Sequence, residues 1–154
     1  DSIILGYYPE ISQIDKEILS GEATPAWQIK LESGEEDIYN AYELYIVWNG
    51  TASVQHGRIA CSELSKYFKG IFISQEIGIN KPQKGFFDYC FNEIPDFSKE
   101  KTIIVGDSLT SDIKGGNNAG IQTCWYNPRG IKCPDDLTAN YEIKDILQLK
   151  DILK

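Results

Sequence analysis

Two aspartates, Asp107 and Asp112, stand in the run Gly106-Asp-Ser-Leu-Thr-Ser-Asp112, directly after the apolar stretch Thr102-Ile-Ile-Val105. A short apolar strand that ends in carboxylates brings acid groups to the mouth of a parallel sheet, where open α/β proteins build their sites. Like charges held close repel one another, so such a pair needs a cation or a retained proton. Hard carboxylate oxygens suit Mg²⁺. Two further places carry matching chemistry. Asn49-Gly50 follows Leu44-Tyr-Ile-Val47 and Trp48, and Lys81 precedes Pro82. The Asn49 amide and the Gly50 N–H can donate to a phosphate, and the Lys81 ammonium can neutralise its charge.

The elements that position these residues can be read from the apolar pattern. Leu44–Val47 predicts a strand, a helix follows over about Ala52 to Tyr67, and Gly70–Ser74 predicts a second strand. Phe86, Phe87, Cys90, Phe91 and Ile94 recur at helical spacing after Pro82. Thr102–Val105 is the next strand, followed by a helix over Leu109–Ala119, a strand over Ile121–Trp125, a short strand at Tyr141–Ile143 and a last helix over Asp145–Leu153. Strands alternating with helices imply βαβ units, a parallel sheet and an α/β fold. In such a sheet Asn49, Lys81, Asp107 and Asp112 converge on one edge. Residues 1–43 form a less regular N-terminal segment. In it Ser2–Leu5 is a candidate first strand, and residues 44–154 form the regular core.

At 154 residues the chain is long enough for one domain with a real core. Hydrophobic content of 42% and charged content of 25% are those of a soluble globular protein. The net charge of −8 disfavours nucleic acid and anionic membrane as partners. No apolar run approaches the ~20 residues that cross a bilayer. Cys61, Cys90, Cys124 and Cys133 stand singly with no CxxC pair, which points to reduced thiols in the cytoplasm.

Ile46-Val-Trp-Asn-Gly50, Lys81 before Pro82, and Gly106-Asp-Ser-Leu-Thr-Ser-Asp112 resemble motifs two, three and four of the haloacid dehalogenase superfamily. The run from Gly106 to Pro128 is similar to its pyrimidine 5′-nucleotidase-like branch. The resemblance implies a Rossmann-like three-layer sandwich and Mg²⁺-dependent hydrolysis of small phosphomonoesters, such as a nucleoside 5′-monophosphate, through an aspartyl-phosphate. It implies that Lys81 neutralises the phosphate and that Asp107 binds the metal. Asp112 would hold metal-bound water or orient Lys81, and Asn49 with Gly50 would contribute to the phosphate cradle.

Two departures accompany the resemblance. The family's attacking aspartate belongs to an Asp-x-Asp motif after the first strand, and no such motif precedes Asn49. In the candidate first strand, Gly6 and Tyr8 fall at those two positions. Trp48 stands where the family usually has Thr or Ser, and an indole fills the space of a phosphate-binding hydroxyl. Residues 9–43 leave room for a much reduced cap at most. Either the chain is a fragment or it is a complete, altered member. The family fold needs a central strand between those ending at Asn49 and Asp107, since buried strand edges must be paired. Ser2–Leu5 can supply it, and this favours the altered member. The alternative function is accordingly an inactive domain that retains phosphate or Mg²⁺ binding, or a structural role.

Overall fold

The computed structural model describes residues 2–6, 42–61, 68–145 and 148–153. Its strands are β1 (Ser2–Gly6), β2 (Tyr42–Trp48), β3 (Gly70–Ile73), β4 (Thr102–Gly106), β5 (Gln122–Tyr126) and β6 (Tyr141–Ile143). They form one sheet in the order β3-β2-β1-β4-β5-β6, with every pairing parallel. The expected central strand is present. Ile4 of β1 lies between Leu44 of β2 and Ile103 of β4, and Gly6 lies between Ile46 and Val105.

The central strands are apolar along their length because both faces of the sheet are covered. Leu44 to Trp48 and Thr102 to Gly106 are buried without interruption. Alternation of side chains then sorts them by face. Tyr45, Val47 and Ile104 pack with Phe86, Phe87, Cys90, Ala119 and Ile121. Leu44, Ile103, Val105 and Cys124 pack on the other face with Ile143 and Leu149.

Among the described residues the α-helices are α1 (Ala52–Cys61), α2 (Ser74–Ile77), α3 (Lys84–Glu93), α4 (Lys114–Ala119) and α5 (Leu149–Ile152). Two differ from the sequence expectation for local physical reasons. Ser74 leaves β3 and opens α2, which Gly78 closes in the left-handed conformation at φ +80° with its N–H on Ser74 O. The predicted continuous helix over Leu109–Ala119 begins instead as a wide π-helical turn over Leu109–Ile113, in which Ile113 N–H reaches back to Ser108 O. That turn carries Asp112 and Ile113 inward, and both are buried. Of the helix expected over Asp145–Leu153, α5 supplies Leu149–Ile152, and residues 146–147 fall outside the described residues. The continuation of α1 towards Tyr67 and the candidate reduced cap fall outside the described residues.

Gly115 and Gly116 let α4 approach the sheet and α3. A Cβ at Gly115 would lie 2.6 Å from the Phe87 ring, and one at Gly116 2.6 Å from methyl groups of both Ile104 and Thr123. Gly116→Ala gains about 1 kcal/mol of helix propensity but overpacks a buried contact at a cost of about 1–3 kcal/mol. A net loss of stability is therefore expected in urea unfolding. A stabilised variant would mean that α4 can slide off the sheet without cost.

Candidate active site

The C-terminal ends of the strands are brought level by the pairing register. Trp48 is opposite Ile73, and Gly106 is opposite Trp125. Asn49 follows β2 immediately. Its amide is held at both ends by the backbone of Lys81: Nδ2 donates to Lys81 O at 3.0 Å, and Lys81 N–H donates to Oδ1 at 2.9 Å. This pair of bonds fixes where the Lys81 side chain starts.

From there Lys81 runs under the strand ends. Nζ donates to Val47 O at 2.9 Å and to Asp112 Oδ1 at 2.5 Å. The ion pair is almost fully enclosed, with side-chain exposures of 3% for Lys81 and 1% for Asp112. The other Asp112 oxygen, Oδ2, accepts the Ser108 N–H at 3.2 Å. Ser108 in turn caps the π-turn by accepting the Ser111 N–H on its hydroxyl. Glycine at 106 is required by this packing, since a Cβ there would overlap the Asp112 carboxylate. Asp112 is therefore the inward partner of Lys81.

Asp107 has the opposite placement. It is exposed at the end of β4, and its backbone carbonyl accepts the Trp125 indole N–H at 3.0 Å. Its carboxyl is pushed above the usual aspartate range, first by partial desolvation and then by the nearby Asp112 charge, with Lys81 and Arg129 acting the other way. An acid destabilised by a like charge is a place where a cation would be favourable.

The donors expected to face a phosphate also have partners within the chain. The Asn49 amide gives its oxygen and one of its two N–H donors to the Lys81 backbone. The Gly50 N–H donates to the buried Ser74 hydroxyl at 3.0 Å. Ser74 is the first of three consecutive grips on this loop. Gln75 Oε1 accepts the Ala52 N–H at 2.7 Å, and Glu76 pairs with His56 at 2.7 Å. The sequence reading missed Ser74, Gln75 and Glu76, whose only local signal is a polar run after a strand. Trp48 is buried, in keeping with an indole that fills a space. Gly6, where the attacking aspartate was sought, ends β1 with no side chain to react, and Tyr8 lies outside the described residues.

Among the described residues, no three His, Cys, Asp or Glu side chains gather into a metal-binding group. Mg²⁺ asks for less, since it keeps several waters and takes one or two protein carboxylates. An exposed strand-end carboxylate would meet that demand at Asp107, whereas Asp112 is 1% exposed with both oxygens already bonded. No helix among the described residues is long and apolar enough to cross a membrane.

Comparison with known proteins gives one consistent result. A HAD-hydrolase-like family model matches residues 78–152. HAD-hydrolase YfnB of Bacillus subtilis is 44% identical over 117 residues, which is 76% of this chain and 50% of that protein. Pyrimidine 5′-nucleotidase PynA of Streptococcus pneumoniae is 42% identical over 126 residues, 79% of this chain and 53% of its own length. Pyrimidine 5′-nucleotidase YjjG of Escherichia coli is 33% identical, covering 70% of this chain and 48% of that protein. The chain thus spans about half the length of these relatives. A crystal structure of B. subtilis YfnB bound to magnesium superposes with a TM-score of 0.76 at 27% identity, over 99% of this chain and 98% of that one.

Proposed function

Because the chain belongs to the haloacid dehalogenase-like hydrolase family, we propose that it serves Mg²⁺-dependent hydrolysis of small phosphomonoesters, with nucleoside 5′-monophosphates the first class to test. The observation that carries this reading is the buried Lys81–Asp112 pair, tied through Asn49 to the end of β2 and lying behind the exposed Asp107. Held at Asp107, Mg²⁺ would offset phosphate charge. The chain's own residues do the rest of the positioning. Lys81 contributes a desolvated positive charge whose direction Asp112 and Val47 O fix, and Asn49 holds the loop that carries it. Cys90, Cys124 and Cys133 are free thiols, which fits a reducing compartment such as the cytoplasm.

A second reading is favoured by particular residues. Gly6 offers no nucleophile and Trp48 offers bulk in place of a hydroxyl, so the chain would bind phosphate and Mg²⁺ without turning substrate over. Phosphate release from a panel of phosphomonoesters, with Mg²⁺ and the purified 154-residue chain, separates the two. Turnover that disappears in Asp107→Asn supports the hydrolase. Turnover no greater than that of Asp107→Asn leaves the binding module. The same variant should melt at a higher temperature without Mg²⁺ near neutral pH. Its carboxyl is held above the ordinary range, so the folded state takes up a proton more readily than the unfolded chain and is disfavoured once pH rises past that range. An unchanged or lower melting temperature would contradict that assignment of strain.

A further inference from the structure

The end of β5 carries a pinned turn beside Asp107. Gly106 is opposite Trp125 in the sheet, and the Trp125 indole N–H fastens to Asp107 O at 3.0 Å. Two residues on, Asn127 is only 2% exposed. Its backbone N–H donates to Ile143 O at 2.7 Å. Its Nδ2 donates to Ile131 O at 2.8 Å and to Glu142 Oε1 at 2.7 Å, and its Oδ1 accepts the Ile131 N–H at 3.0 Å. The chain between these anchors is a turn, closed by the Gly130 N–H on Asn127 O at 3.1 Å. Pro128 and Arg129 are its two central residues. The base of the turn is held by a buried amide, and its tip is exposed.

Arg129, at that tip, belongs to none of the ion pairs among the described residues. A surface arginine is ordinarily just solvated. This one stands where its charge reaches the Asp107 carboxyl, and the charges acting on that carboxyl are those of Asp112, Lys81 and Arg129. Two acids and two cations cancel. Lys81 and Asp112 already form a sealed pair, so the outer balance is Asp107 against Arg129. Mg²⁺ held at Asp107 would leave the site with two positive charges in excess. A phosphomonoester carries about two negative charges above its second pKa near 6. Without Arg129 the site would fall one charge short of its ligand.

We propose that Arg129 is the second cation of the phosphate site, its guanidinium donating to a phosphoryl oxygen from the β5 side while Lys81 supplies charge from beneath the strand ends. Arginine suits this role, because its planar fork presents paired N–H donors to phosphate. The assignment rests on the phosphate and Mg²⁺ site of the proposed function and adds a residue that the motifs do not include. With no phosphate bound, Arg129 repels the metal that Asp107 attracts.

The test is calorimetric titration of the 154-residue chain and its Arg129→Gln variant in low salt, with Mg²⁺ alone and then with inorganic phosphate at saturating Mg²⁺. Arg129→Gln should bind Mg²⁺ about threefold more tightly, within the range of one exposed charge. It should bind phosphate about tenfold more weakly, the size of one lost charge-assisted hydrogen bond. Arg129→Lys keeps the charge without the fork, so its Mg²⁺ affinity should be parental and its phosphate affinity intermediate. If Arg129→Gln does not fold, Arg129→Met supplies the same comparison. The opposite movement of the two affinities separates a charge role from damage to the turn, which would not tighten Mg²⁺. A fall in both affinities, or a change in only one, overturns the role of Arg129. Equal affinities in parent and variant overturn it too and leave the hydrolase reading standing. The expected shifts with no hydrolysis of any ester uphold it while the hydrolytic reading falls. A parent chain that fails to bind Mg²⁺ or phosphate overturns it together with the site itself.

Discussion

Replacing Lys81 with methionine is expected to destabilise the chain by about 3–5 kcal/mol, the usual result of removing one member of a buried ion pair. The magnitude follows from enclosure, since both side chains are at most 3% exposed. Methionine keeps the length of the side chain but leaves the Asp112 carboxylate buried, with the Ser108 N–H as its remaining donor among the described residues. The pair itself is not a large source of stability, because its desolvation offsets much of its attraction. Hence the double variant Lys81→Met/Asp112→Leu should recover most of the loss. Urea unfolding near neutral pH measures both variants. A loss below about 1 kcal/mol in the single variant, the range of exposed pairs, would mean that water reaches Asp112 and that the pair is not a sealed one. Any phosphate release should vanish in both variants, which separates the pair's chemical role from its structural one.

Gly106→Ala is expected to cost about 3 kcal/mol, at the upper end of the usual overpacking range. The added methyl group would overlap the Asp112 carboxylate. That carboxylate has nowhere to go, because Lys81 Nζ holds one oxygen and Ser108 N–H the other. Relief requires either breaking the buried pair or shifting β4 within the sheet. Either route also moves Asp107, the next residue. The expected result is therefore a joint loss of stability and of Mg²⁺ affinity, followed by unfolding and by calorimetry. A variant with parental stability would show that the π-turn adjusts easily, and the close packing of Gly106 on Asp112 would then have no energetic weight.

Much of the fold was legible because its physics is local. Strands covered on both faces are written as apolar runs, and a helix with one buried face is written as a 3.6-residue period, as in Phe86, Phe87 and Cys90. The ends of helices were less legible. Ser74 reads as the end of a strand until its carbonyl is seen to accept the Gly78 N–H, and Leu109–Ile113 reads as an ordinary helix until Asp112 is drawn towards Lys81. The candidate site divides in the same way. Asp107, Asp112, Lys81 and Asn49 stand out by residue type beside predicted strand ends. Ser74, Gln75 and Glu76 do not, because their partners Gly50, Ala52 and His56 lie 24, 23 and 20 residues away.

The sequence by itself determined the α/β order, the family and the residues that gather at one sheet edge, since each depends on a short run of adjacent residues. Only the tertiary structure decided how those residues divide the work. Asp107 and Asp112 look equivalent in the chain, yet one is exposed at the strand end and the other is sealed against Lys81. Asn49 reads in the chain only as a phosphate donor, and the fold adds that its amide holds the Lys81 backbone. Gln55 looks like any helical glutamine, yet it is buried against Gly50. The reason is the same in each case: burial and pairing depend on what the fold brings alongside, over separations that no local pattern encodes.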